Sequence, residues 1–198
     1  MLTQMLRGFA SHGRTSLLAL CVAALSQIAA AQIWIASTGT VDESSLLTYR
    51  FTDQRASVRP SLATGTVTLR YNVLPAGDLL QSITDPCCEN RALVVRFLDN
   101  GSGAQVIVKL KRYDVHTGNL TTLLAFDSNN YPPRSTFQEP LPTGGGSFFN
   151  FSFAQGPTEG GQDQGGCCAY YLEATLIRSA PGGTPGLASI RLVRDLFP

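Results

Sequence analysis

The chain has 198 residues, the length of one ordinary domain, and pairs 15 basic with 14 acidic side chains. A charge this close to neutral leaves no electrostatic footprint for nucleic acid or for an acidic membrane surface. Charged residues make up only 15 % of the chain, while 19 glycines and 11 prolines punctuate it, which points to a turn-rich architecture.

Residues 1–31 read as a signal peptide. Arg7, His12 and Arg14 form a basic start, residues 17–25 (LLALCVAAL) an uncharged apolar core, and Ala29, Ala30 and Ala31 a small-residue cleavage site. Gln32 then begins a mature domain spanning 32–198. The apolar run falls short of the ~20 residues that cross a bilayer. No second long apolar stretch follows, so the reading has no transmembrane segment once the leader is removed. Leu20 before Cys21 argues against a lipid anchor. Removing 1–31 takes away two arginines and no acids, and leaves a formal charge near −1. The expected location is secreted or periplasmic.

Within the mature part the dominant signal is period-two alternation, with no sustained helical period. Val67, Leu69, Tyr71 and Val73 share one face of a strand whose other face is Thr66, Thr68, Arg70 and Asn72. Val106, Val108 and Leu110 alternate with Gln105, Lys109 and Lys111. Phe149, Phe151 and Phe153 alternate with Asn150 and Ser152. Tyr170, Leu172, Ala174 and Leu176 alternate with Tyr171, Glu173 and Thr175. One dry and one wet face is the mark of antiparallel sheets. Further strands are expected over 33–37, 45–51, 93–98, 120–126 and 187–193, about nine in all. The pattern predicts an all-β antiparallel β-sandwich, jelly-roll-like and disulfide-stapled. The turn DNGSG suggests a hairpin joining 93–98 to 105–113, and DVHTGN a second hairpin that extends it into a three-stranded meander. Residues 129–146 and 155–166, rich in proline or glycine, read as long loops without regular structure.

Four cysteines remain in the mature part, as two doublets: Cys87-Cys88 and Cys167-Cys168. Each doublet is followed by a strand, a glycine-bearing turn and a second strand. In an oxidising compartment four cysteines imply two disulfides. A bond within a doublet is disfavoured, since adjacent Cα atoms lie ~3.8 Å apart, below the usual ~4.4 Å limit. Bonds between doublets avoid that strain, and the first closes a loop of about 80 residues, worth ~4.5 kcal/mol in the chain-entropy model. Adjacent spacing does not match zinc-ligand spacing, so no metal site and no cofactor is expected.

Catalytic constellations are absent. His116 is the only mature histidine, on an expected turn, and no GxSxG elbow accompanies it. Glu173 is the one acid placed within a strand. Gly144-Gly145-Gly146 lacks the following Lys-Ser/Thr of a phosphate loop. Asn100, Asn119 and Asn150 each sit in an N-glycosylation triplet. Trp34, Phe148 and Tyr171 are the aromatics left free to face outward, and together suggest a sugar-stacking platform. The sequence therefore points to an exported, non-enzymatic β-sandwich, acting in binding or as an envelope or extracellular structural component. Its expected partners are a glycan or an envelope protein. Two alternatives stand beside it: a carbohydrate-binding module, and a secreted hydrolase with loop-borne carboxylates.

Overall fold

A computed structural model describes residues 32–52, 55–73, 90–140, 148–150 and 168–194. The strands are β1 (Gln32–Ile35), β2 (Thr40–Val41), β3 (Tyr49–Thr52), β4 (Arg55–Val58), β5 (Gly65–Val73) and β6 (Asn90–Asp99). They continue with β7 (Ala104–Asp114), β8 (Leu120–Asp127), β9 (Arg134–Gln138), β10 (Phe148–Asn150), β11 (Cys168–Arg178) and β12 (Gly186–Arg194). Short 3-10 turns follow β1, β2 and β8. All pairings are antiparallel. No helix among the described residues is long and apolar enough to cross a membrane.

The strands form two sheets. The five-stranded sheet runs β2-β5-β11-β7-β8. The seven-stranded sheet is built on two long strands, β6 and β12. Half-length strands flank them: β9 and β10 along β6, β4 and β1 along β12, with β3 outside β4. The alternating residues read from sequence meet between the sheets. Val67, Leu69, Val106, Val108, Leu110, Leu172, Ala174 and Leu176 from one sheet and Val95, Phe97, Leu187, Ile190 and Leu192 from the other are fully or almost fully buried. Together they make one core, a β-sandwich.

The two doublet-led units turn out to be interlocked. β6 lies in the seven-stranded sheet and β7 in the five-stranded one, so DNGSG is an arch between sheets and not a hairpin. β11 and β12 make the reverse crossing. β6 pairs with β12 and β7 with β11, so each unit supplies a partner to both strands of the other. β6 does not keep the wet-and-dry alternation of β7: Leu93, Val94, Val95, Phe97 and Leu98 are all buried, and Arg96 between them is exposed.

The two arch turns meet at one end of the sandwich. Asn100 Nδ2 donates to Gly182 O at 2.7 Å, and Thr184 N donates to Asn100 Oδ1 at 3.0 Å. Ser179 N donates to Gly103 O at 2.7 Å. Gly103 has φ +78°, and a Cβ on Gly183 would stand 2.7 Å from Gly103 O. Neither position admits a side chain without displacement. Asp99, 3 % exposed, ties this end to the third turn: it accepts from Gly101 N at 2.8 Å and from Ser128 Oγ at 2.5 Å, while Ser128 Oγ accepts from Val106 N.

The outer edge of β5 is covered by side chains, loop amides and the two-residue β2. Trp34 Nε1 donates to Asn72 O at 3.0 Å, Asp42 N to Thr68 O at 2.9 Å, and Thr48 Oγ1 to Thr66 O at 2.8 Å, while Thr68 N donates to Ser45 Oγ. The two-residue β2 fills the gap between them. An open ladder edge invites pairing with another chain, and this edge offers none.

Two loop expectations change. The described part of the loop expected over 129–146, residues 129–140, holds the end of a 3-10 turn (Ser128–Asn130) and β9, which pairs with β6 through Phe97 and Asp99, while 141–146 lie outside the described residues. Tyr131 also packs on Phe126 and Phe97, with ring centroids 5.4 and 6.0 Å away. The strand expected over 45–51 begins only at Tyr49, after a 3-10 turn (Glu43–Ser45) and a turn over 46–48, and β4 is a strand the alternation did not mark. The expected loop over 155–166 lies outside the described residues.

Candidate functional site

The outward side of the five-stranded sheet gathers aromatic, charged and amide side chains. Because Val106, Val108 and Leu110 are buried, alternation turns Lys109, Lys111 and Tyr113 of β7 outward. The same rule turns Tyr171 and Glu173 of β11 and Arg70 and Asn72 of β5 to that face. Register then sets the neighbours. Tyr171 lies between Asn72 and Lys111, and Glu173 between Arg70 and Lys109.

A line of ion pairs crosses this face. Lys111 Nζ stands 2.6 Å from Glu173 Oε1, Arg70 Nε 3.6 Å from Glu173 Oε2, and Arg70 NH1 2.5 Å from Asp42 Oδ2. Lys111 and Glu173 are only 15 % and 16 % exposed at the side chain. That shelter places their bond among the firmer surface pairs. Asp42 also accepts from the hydroxyl and amide of Ser44. These bonds, and then Arg70, hold its carboxyl below the ordinary aspartate range.

Tyr171 stands half-buried beside Lys111, and Tyr113 is 41 % exposed two residues along β7. Tyr113 is paired with Ala169, so the two tyrosines are diagonal neighbours across β7 and β11, ~7–8 Å apart between Cα atoms. Leu120, 52 % exposed, lies opposite Tyr113 on β8. The outward side thus carries Tyr171 across from Lys111 and Tyr113 two residues further along β7, with charged and amide groups next to them.

The three aromatics singled out from sequence are not gathered on this surface. Tyr171 is on it. Trp34 belongs to β1 of the seven-stranded sheet, packs against the core, and spends its indole N–H on Asn72 O. Phe148 lies in β10, paired with Ala92 of the same seven-stranded sheet. Tyr113 was missed because it closes the alternating run beside a turn. Extending the outward series Lys109, Lys111 by one step would have found it.

Cys168 opens β11 opposite Asp114 and is disulfide-bonded. It is the only cysteine among the described residues, which therefore contain no complete bridge. Cys87, Cys88 and Cys167 lie outside them.

The acids of the described residues are mostly committed to structural bonds. Asp99 holds Gly101 and Ser128, Asp127 holds Gln105 and Asn129, and Glu139 pairs with Arg191. Asp114 accepts from the backbone amides of Thr117 and His116, which lower its pKa in that order. His116 itself sits in the exposed turn between β7 and β8, as its sequence context suggested. No group of three or more His, Cys, Asp or Glu side chains among the described residues is placed to hold a metal ion. Asn100, the first glycosylation triplet, has both ends of its amide engaged, whereas Asn119 lies exposed beside Leu120. No protein-family model matches the chain, and no curated protein shows significant similarity to it.

Proposed function

We propose that this chain is an exported, non-enzymatic binding domain that holds a glycan on the outward side of its five-stranded sheet. The observation that carries the reading is the placement of Tyr171 and Tyr113 on one solvated face, with Lys111, Glu173, Arg70 and Asn72 beside them. Phenol rings offer apolar faces to the C–H side of a sugar ring. Fixed charges and amides at the same level supply hydrogen bonds to its hydroxyls. The ion pairs keep these groups in place, which limits the ordering cost of binding.

Export rests on the leader reading, and the expected location is secreted or periplasmic. The cross-sheet staple belongs to the same proposal. β6 and β11 begin at the same end of the sandwich, one in each sheet, because Cys168 pairs with Asp114 at the far end of β7. Cys87-Cys88 precedes β6 by two residues in the chain, which supports bonding between doublets. The repeated crossings from sheet to sheet support a jelly-roll-like winding. Peptide mapping of the oxidised protein tests the staple: a cross-linked fragment joining residues 87–88 to 167–168 is expected, and bonds confined to each doublet would contradict it.

The glycan reading is tested on a carbohydrate microarray followed by calorimetry. A soluble oligosaccharide should bind, and Tyr171→Ala should weaken it about tenfold, ~1.4 kcal/mol. An array without hits, or a Tyr171→Ala, Tyr113→Ala double variant with unchanged affinity, would overturn it. An envelope or extracellular structural role is the second reading, resting on the same leader. A soluble monomer that binds no envelope component would count against that.

A further inference from the structure

A second surface lies on the other sheet. β3, the last strand of its sheet among the described residues, and the segment after β4 bound an open depression of about 610 Å³, lined by Tyr49, Arg50, Phe51, Arg59, Pro60 and Ser61. The rings of Tyr49 and Phe51 are 5.1 Å apart between centroids and lean on the core. Arg59 is held across the opening by its Nε, which donates to Tyr49 O at 3.0 Å. Arg50 projects from the opposite side of the same edge and is exposed. No carboxylate of the described residues pairs with either guanidinium. The ion pairs there involve Arg70, Lys111 and Arg191. Behind the depression Arg178, 7 % exposed, donates through NH1 to Arg59 O and Leu62 O. It fixes this segment from within and adds a third positive charge, with no ion pair to a carboxylate of the described residues.

We infer that this depression is an oxyanion site for an acidic polysaccharide, with Arg50 and Arg59 taking a carboxylate or sulfate and the Tyr49–Phe51 edge meeting the sugar ring. Guanidinium groups bind planar or tetrahedral oxyanions through paired N–H donors, and a group already anchored by Nε keeps its terminal nitrogens available. Three cations that pair with no carboxylate of the described residues raise the potential over the opening and draw an anion to it. Aromatic edges select for a sugar-borne anion over a bare ion. This site is separate from the tyrosine face and does not depend on it.

Affinity electrophoresis of the full mature protein tests the inference, using polygalacturonate for carboxylate, dextran sulfate for sulfate and plain dextran as the neutral control. Retardation by one or both acidic polymers and not by dextran is expected, weakening as salt rises. The double substitution Arg50→Gln, Arg59→Gln should reduce it about tenfold or more. Because Arg59 bonds the β3 edge, Arg50→Glu serves as a second variant that touches no hydrogen bond described above, and it too should abolish retardation. Tyr171→Ala should leave it unchanged, which separates this site from the tyrosine face. Equal retardation of wild type and both arginine variants, an absence of retardation by either acidic polymer, or equal retention by polyglutamate would overturn it.

Discussion

Asn100, in the turn after β6, bonds through both ends of its amide to the turn before β12, donating to Gly182 O and accepting from Thr184 N. One side chain thus joins the two arches that carry the paired strands β6–β12 and β7–β11. Asn100→Ala removes both bonds and is expected to cost about 1–3 kcal/mol in urea unfolding. Asn119→Ala, in an exposed turn, should stay within about 0.5 kcal/mol.

The same junction tolerates little volume. Gly103 has φ +78°, and a Cβ there would lie 2.8 Å from Ala180 Cβ and Ser179 Oγ. Gly103→Ala should lower stability by more than the ~1–2 kcal/mol of a left-handed conformation alone, because backbone strain and overlap act together. Thermal unfolding by circular dichroism measures it, and a midpoint equal to wild type would contradict the tight contact of the two turns.

Tyr71 is buried in the core, with its hydroxyl donating to Ala36 O at 3.0 Å where the chain passes from one sheet to the other. Tyr71→Phe removes that bond, leaving Ala36 O only the longer one from Gly39 N at 3.4 Å, and should cost about 1 kcal/mol. Burial also pushes the phenol well above the ordinary tyrosine value of ~10. The folded state therefore holds its proton longer than the unfolded chain does. The contribution to stability is complete below pH ~10 and declines as pH rises beyond it toward the folded value. Urea unfolding at pH 8 and pH 11 should show the larger loss in wild type, with a smaller one in Tyr71→Phe.

At the acid end the sign reverses. Asp42 and Asp114 have lowered pKa values, Asp42 through Ser44 and Arg70, Asp114 through the amides of Thr117 and His116. Their stabilising contribution is present above the unfolded aspartate value of ~4 and is lost as pH falls through the folded values. Stability should drop below pH ~4, and Asp42→Asn should flatten part of that drop while weakening the protein at pH 7. An unchanged acid profile in this variant would contradict the role of the Asp42–Arg70 pair.

Much of the core was legible in the sequence because alternation reports one-sided burial directly. Val67 to Val73, Val106 to Leu110 and Tyr170 to Leu176 all fall where the pattern put them. Sheet assignment was not legible. The apolar run of β6 resembles any buried strand, and the turn DNGSG resembles a hairpin turn. Only the tertiary pairing of β6 with β12 reveals an arch. β4 and β9 escaped notice because each is short and paired along only part of a longer strand. At the candidate site Tyr171 and Glu173 were read on the polar side of their strand, and both stand on the outward side of the sheet, partly covered by their neighbours. Neighbours contributed by other strands, Arg70, Lys111 and Tyr113, depend on register, and a single strand's pattern carries none.

The most direct test of the tyrosine face is a titration of the isotopically labelled mature protein with the tightest-binding neutral oligosaccharide from the array, followed by amide and side-chain NMR shifts. Shifts clustered at Asn72, Lys111, Tyr113, Tyr171 and Glu173 are the predicted result. Shifts confined to the seven-stranded sheet, or none at saturating sugar, would contradict it.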